Sequence, residues 1–450
     1  MCEVRGARCE VRGTACSVQR AACWVLCLAL GAAGANASAQ PAAPVERVSF
    51  QDAVTRAIER NPSSAVAAAG ILRAEALLAE ARAATRLQAT GSIVTTTFNK
   101  GVEFDGLTVS PRNSLVASLD VRMPVLAAAE WARRAQAADA RHVAELGESD
   151  VHRQVAFAAA DAYLTIIARR RTVEANQRAQ EVARAHFDLA RSLEQGGTGS
   201  RLNALRAQQE FSIDEGLVES ARLALYRAQE ALGVLLVAAG PVDAAEEPGF
   251  ELPPDVADAA VSGRASLDEG LLRFRTDLTL FSAQQQAADR ALRDSSKDYW
   301  PTVAAIFQPQ TMYPASLFIP QSRWQFLLQA TVPIFDSGQR KGQKLERQAA
   351  FDVSTATLAG ATAQARAEVR SAREAVASAA RGLASARAAA DQAQQVVNIT
   401  NISFRAGAAT NIEVIDAERR ARDADTGVAS AEDTLRRARL ELLTAIGRFP

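Results

Sequence analysis

Two textures alternate along the chain. From Ser114, the residues Leu115, Ala117, Leu119, Val121 and Met123 interleave with Ser114, Val116, Ser118, Asp120 and Arg122. From Trp324, the residues Phe326, Leu328, Ala330 and Val332 interleave with Gln325, Leu327, Gln329 and Thr331. A period of two predicts strands with one apolar and one largely polar face. Each has a candidate partner upstream, in the Thr- and Val-rich stretch 87–98 and in 302–308. Aromatic residues gather at the second pair: Tyr299, Trp300, Phe307, Tyr313, Phe318, Trp324 and Phe326. A membrane β-barrel and an ordinary β-sandwich face both fit these strands taken alone.

The second texture is long and free of proline. No Pro occurs from Val125 to Gly240 or from Ile334 to Phe449, and each gap is 116 residues. Proline is excluded from helix interiors, so the gaps predict two helical blocks. Each block is broken once by a Gly-bearing turn, Gln195-Gly-Gly-Thr-Gly-Ser200 and Arg405-Ala-Gly-Ala-Ala-Thr410. Each is therefore expected to be a helical hairpin, over 127–236 and 338–447. The incoming arms, 127–195 and 338–405, should each be about 100 Å long at 1.5 Å per residue. They carry charge throughout, so they do not cross a bilayer.

The two blocks match in register. Met123-Pro124-Val125-Leu126 precedes the first and Val332-Pro333-Ile334-Phe335 the second. Gly197 pairs with Gly407, Leu202 to Leu205 with Ile412 to Ile415, and Ala231-Leu-Gly233 with Ala445-Ile-Gly447. The first three landmarks are 209 or 210 residues apart and the closing triplets 214, and this near-constant spacing marks an internal duplication. The expected division is a first repeat over 40–236, a Pro-, Gly- and acid-rich linker or equatorial segment over 237–265, and a second repeat over 266–450.

Composition changes this picture in two ways. With 51 Lys+Arg against 51 Asp+Glu, the chain lacks the basic excess that nucleic-acid binding calls for. All five Cys lie in the first 27 residues, among Arg5, Arg8, Arg12 and Arg20 and ahead of an apolar run from Ala21 to Ala35. Ala37-Ser38-Ala39 then offers a small-x-small site. This predicts a secretory signal peptide over 1–39, cut after Ala39. Export favours the membrane reading of the strands. Four strands per chain cannot close a barrel, and open sheet edges are not tolerated in lipid. An inserted chain must therefore pool strands with copies of itself, and three copies supply twelve.

Candidate chemistry is sparse. His142, His152 and His186 lie in the first long arm with no second ligand type at metal spacing, and exposed helix positions are expected for them. No nucleophile elbow or phosphate loop occurs. No enzyme, cofactor or metal site is expected, and no energy source that would drive transport.

At this point the residues resemble those of the TolC-like outer-membrane efflux proteins, over about 49–447. Phe50-Gln-Asp-Ala53 through Asn61-Pro62 looks like that family's first short helix. Val332-Pro-Ile-Phe-Asp-Ser-Gly338 looks like its strand-to-helix exit. Phe187 through Gln209 and Phe404 through Glu418 look like its two helical tips. The first junction, Met123 to Glu130, departs from the pattern by lacking Phe-Asp-x-Gly.

The resemblance implies a mainly α protein with membrane β structure. Long helical hairpins would form a trimeric α-barrel, continuous with a 12-stranded outer-membrane β-barrel. It implies a passive exit duct of a tripartite efflux or type I secretion system, a homotrimer in outer-membrane lipid that extends into the periplasm. Its partners would be a periplasmic adaptor and an inner-membrane pump. The alternative is a soluble periplasmic coiled-coil scaffold or adaptor. The family places adaptor docking at the tips, hence at Gly197, Gly199 and Gly407, and a carboxylate ring at the periplasmic entrance, hence at Glu413 and Asp416. Phe404, Ala409, Leu202 and Asn203 stand where relatives carry polar closing residues, so apolar packing is expected to close the tips.

Overall fold

The computed structural model describes residues 45–252 and 272–449. The signal peptide expected over 1–39, its cleavage at Ala39 and the linker residues 253–265 lie outside the described residues. In chain order the elements begin with strand β1 (Glu46–Val48), helices α1 (Phe50–Arg60) and α2 (Pro62–Ala84), and strand β2 (Gln88–Thr97). A small hairpin β3 (Val102–Phe104) and β4 (Leu107–Ser110) precedes β5 (Asn113–Leu126). The first helical hairpin is α3 (Ala128–Gln195) and α4 (Arg201–Leu235), followed by β6 (Val242–Ala244). Helix α5 (Thr276–Arg293) leads to β7 (Thr302–Tyr313) and β8 (Ser322–Thr331). The second hairpin is α6 (Gln339–Arg405) and α7 (Asn411–Ala445).

Each hairpin joins an arm of 68 or 67 residues to a return of 35. The return covers only half of its arm. The other half is covered by a separate helix that starts where the return stops. Asn61 caps the N-terminus of α2, and its side-chain amide donates to the carbonyl of Leu235 at the end of α4 (3.3 Å). Arg275 stands at the N-cap position of α5 without a side-chain cap, and its guanidinium donates to the carbonyl of Ala445 at the end of α7 (3.2 Å). Helix α2 packs along α3, and α5 packs along both α3 and α6.

The main core lies at these junctions. Tyr163, Leu164, Ile166 and Ile167 of α3 are fully buried with Leu232, Leu440, Leu442 and Ile446. The Tyr163 hydroxyl lies 3.1 and 3.0 Å from the carbonyl oxygens of Val48 and Glu246, which ties in the parallel pair β1–β6. Phe50 meets Tyr163 and Phe250 edge-on, with centroids 5.4 Å apart in both cases. Part of the stretch read as a linker is thus core, since Val242, Ala244 and Phe250 are buried. Three-residue strands are too short for an alternation to reveal.

The four long strands form one antiparallel sheet in the order β2-β5-β7-β8. The expected pairs are present, with Ile93 opposite Ala117 and Phe307 opposite Phe326, and β5 and β7 join them. Strands β5 and β7 run further than the alternation suggested. One face carries Leu115, Leu119, Phe307, Trp324, Phe326 and Leu328, all exposed. The other carries polar rows. Ser92 and Ser118 share a hydrogen bond of 2.8 Å, and Gln308 donates to Asp120 and accepts from Gln325. Both edges, β2 and β8, lack a partner strand among the described residues. No helix among those residues is long and apolar enough to cross a membrane.

The departure at the first junction has a visible consequence. After β8, the Asp336 carboxylate accepts from the backbone N–H of Gly338 and Arg340 (3.1 and 3.2 Å), and Gly338 takes φ +90°. After β5, Ala127 precedes α3 with no side-chain cap.

Candidate functional site

The two tips are the same turn built twice. In the first, Gly197 N–H bonds to Glu194 O, while Thr198 and Gly199 N–H both reach Leu193 O (3.0 and 2.8 Å). In the second, Gly407 N–H bonds to Phe404 O, while Ala408 and Ala409 N–H both reach Ser403 O (2.8 and 3.2 Å). Gly197 and Gly407 hold φ of +77° and +78°, where a side chain costs about 1–2 kcal/mol. Gly199 is required for another reason. A Cβ there would lie 2.8 Å from the Leu193 and Glu194 backbone. Around Gly197 and Gly407 the space is open.

The returning helices are then capped by side chains. The Ser200 hydroxyl accepts from Leu202 N–H at 3.2 Å. Thr410 and Glu413 form a full capping box: the Thr410 hydroxyl accepts from Glu413 N–H, and the Glu413 carboxylate accepts from Thr410 N–H at 2.7 Å. Glu413 therefore has a structural task that the charge reading missed, although Thr-x-x-Glu at a helix start was there to be read. Asp416 pairs with Arg420 one turn on, at 3.0 Å. Both acids line one exposed groove of about 350 Å³ between α6 and α7, with Ile399, Ser403 and Ala408.

Near the tips, polar side chains tie the first hairpin to the second. His186 is buried, contrary to the exposed position expected of it. Its Nε2 lies 2.8 Å from Asn411 Oδ1, and Asn411 donates in turn to Asn203 O at 3.3 Å. Helix α3 is rich in small residues and charge on every side, so the sequence does not mark which face is covered. Burial pushes the His186 pKa below its ordinary value. Further along, Arg419 of α7 binds Glu210 of α4 (2.8 Å from Nε), and Arg422 binds Asp214 (2.5 Å). Within one protomer the joint is thus made by hydrogen bonds and ion pairs, with the Phe404 ring 5.6 Å from that of His186. His142 is exposed and faces Glu145, and no metal-ligand cluster occurs among the described residues.

Comparison with known proteins agrees with this geometry. The family model described as outer membrane efflux protein matches residues 271–448. No curated protein matches the sequence. Among solved structures, the outer membrane protein VceC of Vibrio cholerae superposes with a TM-score of 0.76 at 17% identity, over 88% of this chain and 96% of that one. The Campylobacter jejuni CmeC outer membrane channel gives 0.74 at 14%, over 89% and 86%. The Neisseria gonorrhoeae MtrE outer membrane channel, solved in an open state, gives 0.75 at 17%, over 88% of each chain. At these identities the superpositions speak for the fold, while the family match covers the second repeat. Residues 271–448 thus match the model of the outer membrane efflux protein family, and the whole described chain shares the fold of these outer membrane channels.

Proposed function

We propose that three copies of the chain form a passive exit duct in the outer membrane. The duct serves a tripartite efflux or type I secretion system and reaches into the periplasm, where an inner-membrane pump delivers cargo through an adaptor. The observation that carries this reading is the sheet: four strands, an apolar outer face, a polar inner face and two unpaired edges. Unpaired edges cannot sit in lipid, and three such sheets joined edge to edge close a barrel of twelve strands. A soluble scaffold would leave the face bearing Leu119, Phe326 and Leu328 in water without cover. The expected result is a trimer that leaves the outer-membrane fraction only with detergent and conducts in planar bilayers. A stable monomer in mild detergent, or recovery from the soluble periplasm, would rule the duct out.

Adaptor docking is proposed at the tips carrying Gly197, Gly199 and Gly407, and the pore constriction at Glu413 and Asp416. Gly407→Val meets no steric obstacle but places a β-branched residue at positive φ. It is expected to reshape the second tip, leaving a membrane trimer that no longer supports efflux in cells. Gly199→Ala should do the same to the first tip by collision with Leu193. Normal efflux in both variants would show that the tips do not dock.

A further inference from the structure

Beyond the His186–Asn411–Asn203 tie, the joint between the hairpins encloses a cavity of about 170 Å³. Helix α4 presents Glu210 and Asp214 to it, and α3 presents Arg178. Helix α7 presents Glu418, Arg419, Arg422 and Asp425; α6 contributes Gln394 and Val397 and no charged group. The side chains of Glu210 and Asp214 are 4% and 5% exposed, and each is engaged by an arginine. Glu418 differs from them. Its Oε2 is buried and has no hydrogen-bond partner among the described residues.

We propose that Glu418 makes this joint a proton-sensitive clasp: protonated, it lets α7 lie against α3 and α4, and ionised, it drives the two hairpins apart at their tip ends. The inference rests on the packing of one protomer and not on the proposed duct. Arg419 and Arg422 engage Glu210 and Asp214, so of the four carboxylates and three guanidiniums lining the cavity, with Arg178 and Asp425 completing the set, an ionised Glu418 would stand beside two carboxylates with no hydrogen bond to its buried Oε2. Separation of the hairpins would return it to water. Away from the tips the hairpins are held by the apolar core around Tyr163 and Leu442, so the movement would be confined to the tip end.

Burial, and then the charges of Glu210 and Asp214, push the Glu418 pKa from its ordinary 4.5 up to about 8. The packed state binds the proton more tightly than the separated state. Its advantage is therefore complete below about pH 4.5 and falls as pH rises, until Glu418 is ionised in both states above about 8. Burial also raises the pKa of Asp214, against the pull of Arg422. His186 acts in the opposite sense, since protonation of a buried neutral imidazole would loosen the joint in acid.

No cysteine follows Cys27, so spin labels can be placed cleanly at two exposed positions, Gln209→Cys on α4 and Gly427→Cys on α7. Labelled protomers, diluted with unlabelled ones in nanodiscs, would be read by pulsed electron–electron resonance from pH 5 to 9. The ratio of long to short distances should grow by up to about tenfold per pH unit between pH 5 and 8, then level off. Glu418→Gln and Glu418→Leu, neither of which can ionise, should show no growth of the long distance as pH rises, whatever loosening His186 causes in acid. A wild-type ratio that does not grow as pH rises from about 6.5 to about 8 would overturn the proposal. So would variants that respond to pH as the wild type does.

Discussion

Leu119→Arg and Leu328→Arg are each expected to abolish insertion. The two side chains lie on the apolar face of the sheet, on β5 and β8, and are 42% and 67% exposed in one protomer. An arginine on the lipid face near the midplane costs ~2–4 kcal/mol. The proposed twelve-stranded barrel repeats every substitution three times, so the cost per assembly is about 6–12 kcal/mol. That is comparable to the whole folding stability of many domains. Outer-membrane fractionation with a heat-modifiability gel measures the outcome. Asp120→Lys is the control. It removes the hydrogen bond from Gln308, but it lies on the polar face, so it should still yield an inserted trimer. Equal insertion of Leu119→Arg and Asp120→Lys would mean that this face does not meet lipid.

The second large effect is expected at the entrance. With Glu413 and Asp416 at the proposed constriction, three chains bring six carboxylates together, and wild-type channels should select cations and be blocked by multivalent cations. The capping box dictates the choice of variant. Glu413→Ala would unfasten the start of α7, at a cost of ~0.5–2 kcal/mol. Glu413→Gln keeps a side-chain acceptor for Thr410 N–H and removes only the charge. The double variant Glu413→Gln with Asp416→Asn should lose cation selectivity and weaken block by roughly 100-fold, or about 3 kcal/mol, while remaining trimeric. Single-channel recording with the blocker on the periplasmic side gives the answer. Unchanged selectivity and block in the double variant would place these acids elsewhere.

Much of the fold was written in local signals. Proline gaps marked the two hairpins because a single Pro breaks a helix. The turn glycines marked the tips because two of them occupy positive φ. Alternation marked β5 and β8 because each carries an apolar and a largely polar face, and it pointed upstream to β2 and β7 as their partners. What escaped was non-local. Glu210 and Arg419 are 209 residues apart, and nothing in either helix announces that they meet. His186 looked exposed because its neighbours alternate small and charged residues without a clear stripe. The pair β1–β6 escaped because three residues give no period. The resemblance supplied the trimer, the docking tips and the entrance ring, which neither spacing nor composition could have supplied.

The end-to-end meetings of α4 with α2 and of α7 with α5 have a further consequence. Like a rope in which one yarn is spliced to the next, each protomer presents the same number of helices above and below the splice: α3 and α6 throughout, accompanied by α4 and α7 on one side and by α2 and α5 on the other. A wall built this way neither gains nor loses a member along its length. In the proposed duct the bore would then be set by how steeply the helices wind and not by how many there are. The splice also ties lengths together. Adding two turns to α3 alone would open a gap between Asn61 and Leu235, and the same addition to α6 would part Arg275 from Ala445. Any lengthening of such a wall has to be made in an arm and its spliced partner at once, and in both repeats.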